Sequence, residues 1–158
     1  MALNVEVRTV DPQPIISITK RVKVDELNDH IWNSLATLYA GLEAQGEKPV
    51  GAPFGLYHGP INGEDDGPIE VCVPVRRRPA TQGEVTAREL PGGRVASVLL
   101  RGDQCEFPAV LEGYDVTHDW IQQNGYEPAD SPREIWHSEP GEDGRMEIAW
   151  PFHERGQI

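Results

Sequence analysis

The sequence predicts an α+β fold in which a strand–helix–strand–strand unit occurs twice, the two copies forming a pseudo-twofold antiparallel sheet with both helices on one face. Three observations carry this. The chain repeats itself at an offset that drifts from 80 to 77, an amphipathic stripe of helical period lies at the same place in each copy, and short β-branched runs flank each stripe.

The repeat is colinear over three blocks. Arg8-Thr-Val-Asp-Pro-Gln-Pro-Ile-Ile-Ser-Ile18 matches Arg88-Glu-Leu-Pro-Gly-Gly-Arg-Val-Ala-Ser-Val98. Gly46 to His58 matches Gly125 to His137, and Ile69-Glu-Val-Cys-Val-Pro-Val75 matches Met146-Glu-Ile-Ala-Trp-Pro-Phe152. One domain over 1–158 with pseudo-repeats of about 1–80 and 81–158 is the expectation, because a four-element half has too little core to stand alone.

In chain order, the first copy reads as a strand over 14–20, a helix over 24–45 and strands over 53–58 and 69–75. The helix rests on Leu27, Ile31, Leu35, Leu38 and Leu42, one apolar stripe with acids Asp25 and Glu26 at its start and Gly46 past its end. The second copy reads as a lead-in strand at 84–89, then strands over 94–101, 132–138 and 145–152 around a helix over 105–124. That helix draws its stripe from Phe107, Val110, Leu111, Tyr114, His118 and Ile121, with Gly125 as its stop. The turn-forming segments 59–68 and 138–144 read as hairpin connections, and 76–83 reads as a polar link.

Acids outnumber bases 26 to 14, for a formal charge of −12, which excludes direct, sequence-independent grip on nucleic acid. Apolar runs fall far short of the ~20 residues that cross a bilayer, and the start lacks a secretory pattern, so the expectation is a cytoplasmic protein with no membrane association. Cys72 and Cys105 show no ligand spacing with the five histidines, so neither a metal nor another cofactor is expected.

Alternation along strands then sorts side chains by face. With Met146, Ile148, Trp150 and Phe152 assigned to the core, Glu134, Trp136 and Glu147 are expected together on the opposite face. The same logic in the first copy puts Tyr57, Glu70 and Cys72 there, with Phe54, Leu56, Val71, Val73 and Val75 in the core. A cleft between the two repeats could gather these acids and aromatics on one ligand, an aromatic face and a partly buried carboxylate together suiting a cation. Arg94 or Arg101 is the expected counter-ion in the empty state. His58 and His137 alternate with core positions and read as structural; each single acid, taken alone, reads first as a solvated strand position.

The segments 83–96, Leu100-Arg-Gly102, Trp120–Pro128, Pro132–Ser138 and Met146–Phe152 resemble the GyrI-like small-molecule-binding domain, also found as the effector-binding half of AraC- and MerR-type regulators such as BmrR. The likeness covers nearly the whole chain. It implies the tandem fold already read from the repeat. It also implies that Glu134, in the strand before the final hairpin, contacts a lipophilic cation, with Glu147 as a second acid on the last strand and Trp136 as an apolar contact. One departure is Asp103-Gln104-Cys105 after Arg101-Gly102, where the family often carries an aromatic. Another is that residues 1–13 are too few for a helix-turn-helix headpiece, so a stand-alone member is the expectation.

The resemblance implies capture of a hydrophobic, cationic or planar aromatic small molecule, for sensing or sequestration. The alternative it allows is a hydrolase of strained cyclopropane-containing, DNA-alkylating compounds, with Glu134 or Glu147 activating water. A protein inhibitor of a topoisomerase ranks third, since the acids are scattered. A protein partner or a homodimer is left open.

Overall fold

The computed structural model describes residues 3–61, 64–81, 83–138 and 143–156. Residues 62–63, 82 and 139–142, parts of the expected hairpin connections and link, lie outside the described residues. The element order is β1 (Glu6–Val10), β2 (Gln13–Val22), α1 (Val24–Ala44), β3 (Phe54–Tyr57), β4 (Gly67–Pro74), β5 (Thr86–Leu90) and β6 (Gly93–Arg101). A 3-10 turn (Gly102–Cys105) follows, then α2 (Leu111–Gln123), β7 (Tyr126–Pro128), β8 (Arg133–Trp136) and β9 (Arg145–Glu154). The fold is α+β, as expected, with the repeated strand–helix–strand–strand order.

The chain forms two compact units, and their membership is instructive. One holds residues 12–91; the other holds 1–11 together with 92–158. Each repeat therefore gives its first strand to the unit built mainly from the other. In the 12–91 unit the antiparallel strands run β3-β4-β2-β5, with β5 registered so that Arg88 faces Ile15. In the other unit they run β1-β6-β9-β8, with β7 also on β9 and with Arg8 facing Val95. Strand β1 escaped the sequence reading because it is a short, mostly exposed strand without an apolar run. Carrying the lead-in strand at 84–89 back onto its repeat partner would have found it.

In the 12–91 unit, α1 packs on β2 and β4. Its buried residues are His30, Ser34, Leu35, Leu38 and Leu42, so the expected leucine stripe holds along its C-terminal half. The helix stops where Gly46 takes φ +70°. The Gly46 N–H then reaches the Glu43 carbonyl and the Glu47 N–H reaches that of Leu42, a Schellman closure that a side chain at Gly46 would strain.

The second helix differs from expectation. It begins at Leu111, and its buried line is Val110, Gly113, Thr117 and Ile121, which leaves Phe107 and Leu111 exposed. The helix is rotated because Gly113 lets it settle on the sheet: a Cβ there would lie 3.1 Å from both Ile148 and Leu100. Thr117, buried beside it, spends its hydroxyl on the Gly113 and Tyr114 carbonyls. The core beneath is Val98, Leu100, Val110 and Ile148, flanked by a second cluster of Ala96, Ile121 and Phe152. Among the described residues no helix is long and apolar enough to cross a membrane.

The close approach at Gly113 gives a test. Gly113→Val should overpack the helix–sheet interface and destabilise by about 1–3 kcal/mol, read as a lower urea midpoint at unchanged slope. A midpoint at or above that of the wild type would show that α2 does not need the small residue.

Candidate functional site

Register decides which side chains meet, and it revises the expected faces. Across β8 and β9, Glu134 lies opposite Ile148 and Trp136 opposite Met146, while Glu147 lies opposite Ile135. Residues directly opposite share a face. Glu134 and Trp136 therefore sit with the core residues on the α2 side, and Glu147 points to the other side. The strands pair so that residues of equal parity face the same way, whereas the sequence reading had paired even with odd. A one-residue difference in register moves a whole side-chain set across the sheet.

The same correction applies in the 12–91 unit. Phe54 faces Cys72 and Leu56 faces Glu70, while Tyr57 faces Ile69. Tyr57 thus sits apart from Glu70 and Cys72, and Phe54 and Leu56 lie with them. Cys72 is fully buried, its thiol directed at the Glu70 carbonyl.

Glu70 is the centre of a polar cluster although only 4% of it is exposed. Arg88 donates to both of its oxygens, Nη2 at 2.6 Å and Nε at 2.9 Å, in a fork that matches the carboxylate. The Ser17 hydroxyl donates at 2.6 Å, and His58 Nε2 lies 2.9 Å away. Burial alone would raise its pKa; the hydrogen bonds from Arg88, Ser17 and His58, with the Arg88 charge, outweigh it and hold the carboxyl at about 2.

Glu147 repeats this arrangement more loosely. Arg8 pairs with Oε2, and His137 Nε2 lies 3.4 Å from Oε1. The serine at the matched position, Ser97, turns instead to the Glu6 carbonyl. The counter-ion is thus Arg8 rather than Arg94 or Arg101. Arg94 stacks on Tyr126 and Phe152 at 4.9 and 5.0 Å, and Arg101 lies elsewhere on the sheet.

Glu134 is different in kind. It is 8% exposed, and its oxygens are held by a phenol and an indole: Tyr114 donates to Oε2 at 2.6 Å and Trp136 Nε1 to Oε1 at 3.0 Å. Trp150 meets Tyr114 edge-on at 6.4 Å and His118 at 5.1 Å, and Met146 lies opposite Trp136. Cys105 packs near, its thiol pKa pushed up mainly by burial and then by the Glu134 and Glu106 charges. The result is a carboxylate set among aromatic groups. At the matching position of the first repeat stands Gly55, so this acid exists in one copy only.

The sequence reading missed Arg8, Arg88 and Ser17 and placed Tyr114 merely in a core stripe. A usable signal was present: serine, histidine, glutamate and arginine recur at matched positions of two otherwise diverged copies. Among the described residues, no group of three or more His, Cys, Asp and Glu is placed to hold a metal ion.

Comparison with known proteins agrees with this architecture. The family described as the GyrI-like small molecule binding domain matches residues 3–153. No curated protein matches the sequence significantly. Among solved structures, EcmrR in a DNA complex aligns with TM-score 0.82 at 18% identity over 96% of this chain, which spans only 58% of that one. The EcmrR C-terminal domain alone aligns at 0.76 and 17% over 98% of this chain and 99% of its own. A hydrolase from Listeria innocua aligns at 0.66 and 12% over 94% and 91%. The structure of SAV2435 bound to tetraphenylphosphonium aligns at 0.58 and 13% over 95% and 94%. At these identities the likeness is one of fold.

The Glu70 cluster predicts a pH response. A carboxyl held at about 2 against an ordinary 4.5 stabilises the fold above the ordinary value and loses that contribution as pH falls towards 2. The loss should be on the order of 3 kcal/mol. In Glu70→Gln, urea stability should be lower at neutral pH, since Arg88 is left without its carboxylate, and should decline less between pH 4.5 and 2. Parallel declines in both proteins would count against Glu70 as the titrating group.

Proposed function

Because the chain belongs to the GyrI-like small molecule binding domain family, we propose that its ligand is a hydrophobic cation or a planar aromatic cation, captured at Glu134 for sensing or sequestration. The observation that carries this is the carboxylate of Glu134 held by Tyr114 and Trp136 beside Trp150 and Met146. A cation arriving at the site supplies opposite charge, while the indole and phenol rings supply area and negative ring faces. Tyr114 and Trp136 keep the empty site hydrogen-bonded and must yield or share the carboxylate when the ligand is seated.

The register bears on the two-carboxylate form of the hydrolase alternative. A hydrolase reading that uses two carboxylates needs Glu134 and Glu147 on one substrate, and they lie on opposite faces of the β8–β9 pair. Glu147, already answered by Arg8 and His137, is a support for the sheet in this reading. The SAV2435 complex shows a protein of this fold holding a lipophilic cation, and the same chemistry is proposed for Glu134 here.

Titration with tetraphenylphosphonium, followed by tryptophan fluorescence, tests the proposal. Glu134→Gln should weaken binding at least about tenfold, equivalent to about 1.4 kcal/mol, and Trp136→Ala should weaken it as well as reduce the signal. Mass spectrometry of the recovered compound should return it unchanged. Equal affinity in Glu134→Gln and the wild type would overturn the assignment of Glu134, and a mass gain of one water in a hydrolysable aromatic ligand would replace capture by catalysis.

A further inference from the structure

The run Arg76-Arg77-Arg78 follows β4 and is exposed throughout, although the chain before it is buried up to Val75. In a chain of net charge −12 this run gathers three of the 14 bases, and the fold adds a fourth. The Val50 N–H donates to the Pro74 carbonyl at 3.0 Å, and Arg77 Nη2 donates to Glu47 at 3.3 Å. Segments 47–50 and 74–77 therefore run side by side in opposite directions, which sets the exposed Lys48 level with Arg76. Gln45 Nε2 donates to the Ala80 carbonyl at 3.0 Å and ties the far side of the run to the end of α1. Arg77 is answered by Glu47. Among the described residues, Lys48, Arg76 and Arg78 have no ion-pair or hydrogen-bond partner. Beside these cations lies an apolar edge, Val50 at 54% exposure and the exposed Pro49.

We propose that this corner of the 12–91 unit is a docking surface for an acidic segment of a partner protein, a short run of Asp or Glu broken by one apolar side chain. Cations held together without acids repel one another, and carboxylates seated among them turn that repulsion into charge-assisted hydrogen bonds. Each guanidinium is a planar fork that matches a carboxylate, and clusters of arginine are a recurring means of reading acidic motifs. Val50 and Pro49 give the apolar side chain its contact, which a sugar-phosphate backbone would leave unused. Charge outside the patch points to the same occupant. Screening at physiological salt confines attraction to about 8 Å, so the patch acts only on what lies directly against it. A nucleic-acid duplex extends beyond it and lays phosphates along an acidic surface, whereas a flexible peptide can end where the patch ends.

The test follows a fluorescein-labelled oligoglutamate peptide carrying one leucine by polarisation, against the full chain at low and at physiological salt. Saturable binding that weakens as salt rises is expected. Arg76→Gln combined with Arg78→Gln should weaken it about tenfold, and Lys48→Gln by less. The replaced residues are exposed, and matching urea midpoints check that the fold is kept. Arg21→Gln removes an exposed arginine at the opposite end of β2, paired there with Asp66, and should bind the peptide as the wild type does. Absence of saturable binding, or weakening by Arg21→Gln equal to that of the Arg76 and Arg78 variant, would overturn the proposal. Tighter binding of a duplex oligonucleotide than of the peptide would overturn it too, and assign the patch to nucleic acid.

Discussion

Two buried carboxylates on strand interiors, Glu70 and Glu147, set the terms for this structure. A lone ionised carboxylate in such a place costs many kcal/mol, so each must be answered by charge and by donors. Arg88 and Arg8 supply the charge, and each rides on the first strand of the opposite repeat. The strand exchange and the acid therefore belong together. Removing either arginine-bearing strand from its unit would strand an anion in the sheet, so the correct pairing is specified by electrostatics as well as by backbone hydrogen bonds. That β1 is short and mostly exposed makes this anchoring the more valuable, because little apolar burial holds it in place.

Against this background the three acids separate by what they are given. Glu70 has an arginine fork, a serine and a histidine, and is kept ionised far below the usual carboxylate range. Glu147 has one arginine contact and a longer approach to its histidine. Glu134 is held by neutral aromatic donors. The first two arrangements are a duplicated structural device; the third occurs once, next to tryptophan and tyrosine rings. Duplication followed by divergence is visible here at the level of single side chains, with Gly55 standing where the second copy carries Glu134.

The helix above Glu134 is placed by small residues. Gly113 allows the backbone of α2 close to Leu100 and Ile148, and one residue further on Tyr114 extends its hydroxyl to the carboxylate. A bulkier residue at 113 would lift the helix and lengthen that hydrogen bond. Packing and site geometry are in this way one problem: the rotation that leaves Leu111 exposed is the rotation that aims Tyr114 at Glu134.

How much of this could be read in the chain follows from the range of each interaction. The helix of the first copy, the stop signals at Gly46 and Gly125 and the longer apolar strands depend on neighbours within a few residues, and local periodicity records them, as the colinear matches record the repeat. Glu134 and Trp136 could be singled out because an acid and a tryptophan alternate with apolar positions in a short strand. Which face they take could not, since it depends on the register between β8 and β9, and nothing in either strand states whether even residues will oppose even or odd ones. The partners of Glu70 and Glu147 lay further out of reach, 18 residues away for Arg88 and 139 for Arg8, on strands that change units. By itself, then, the sequence determined the elements and their duplication, because hydrophobic period and turn chemistry are local. The tertiary structure alone decided which acid meets an arginine and which meets aromatic rings, because a charge is answered by whatever the register and the exchanged strands bring within 3 Å of it.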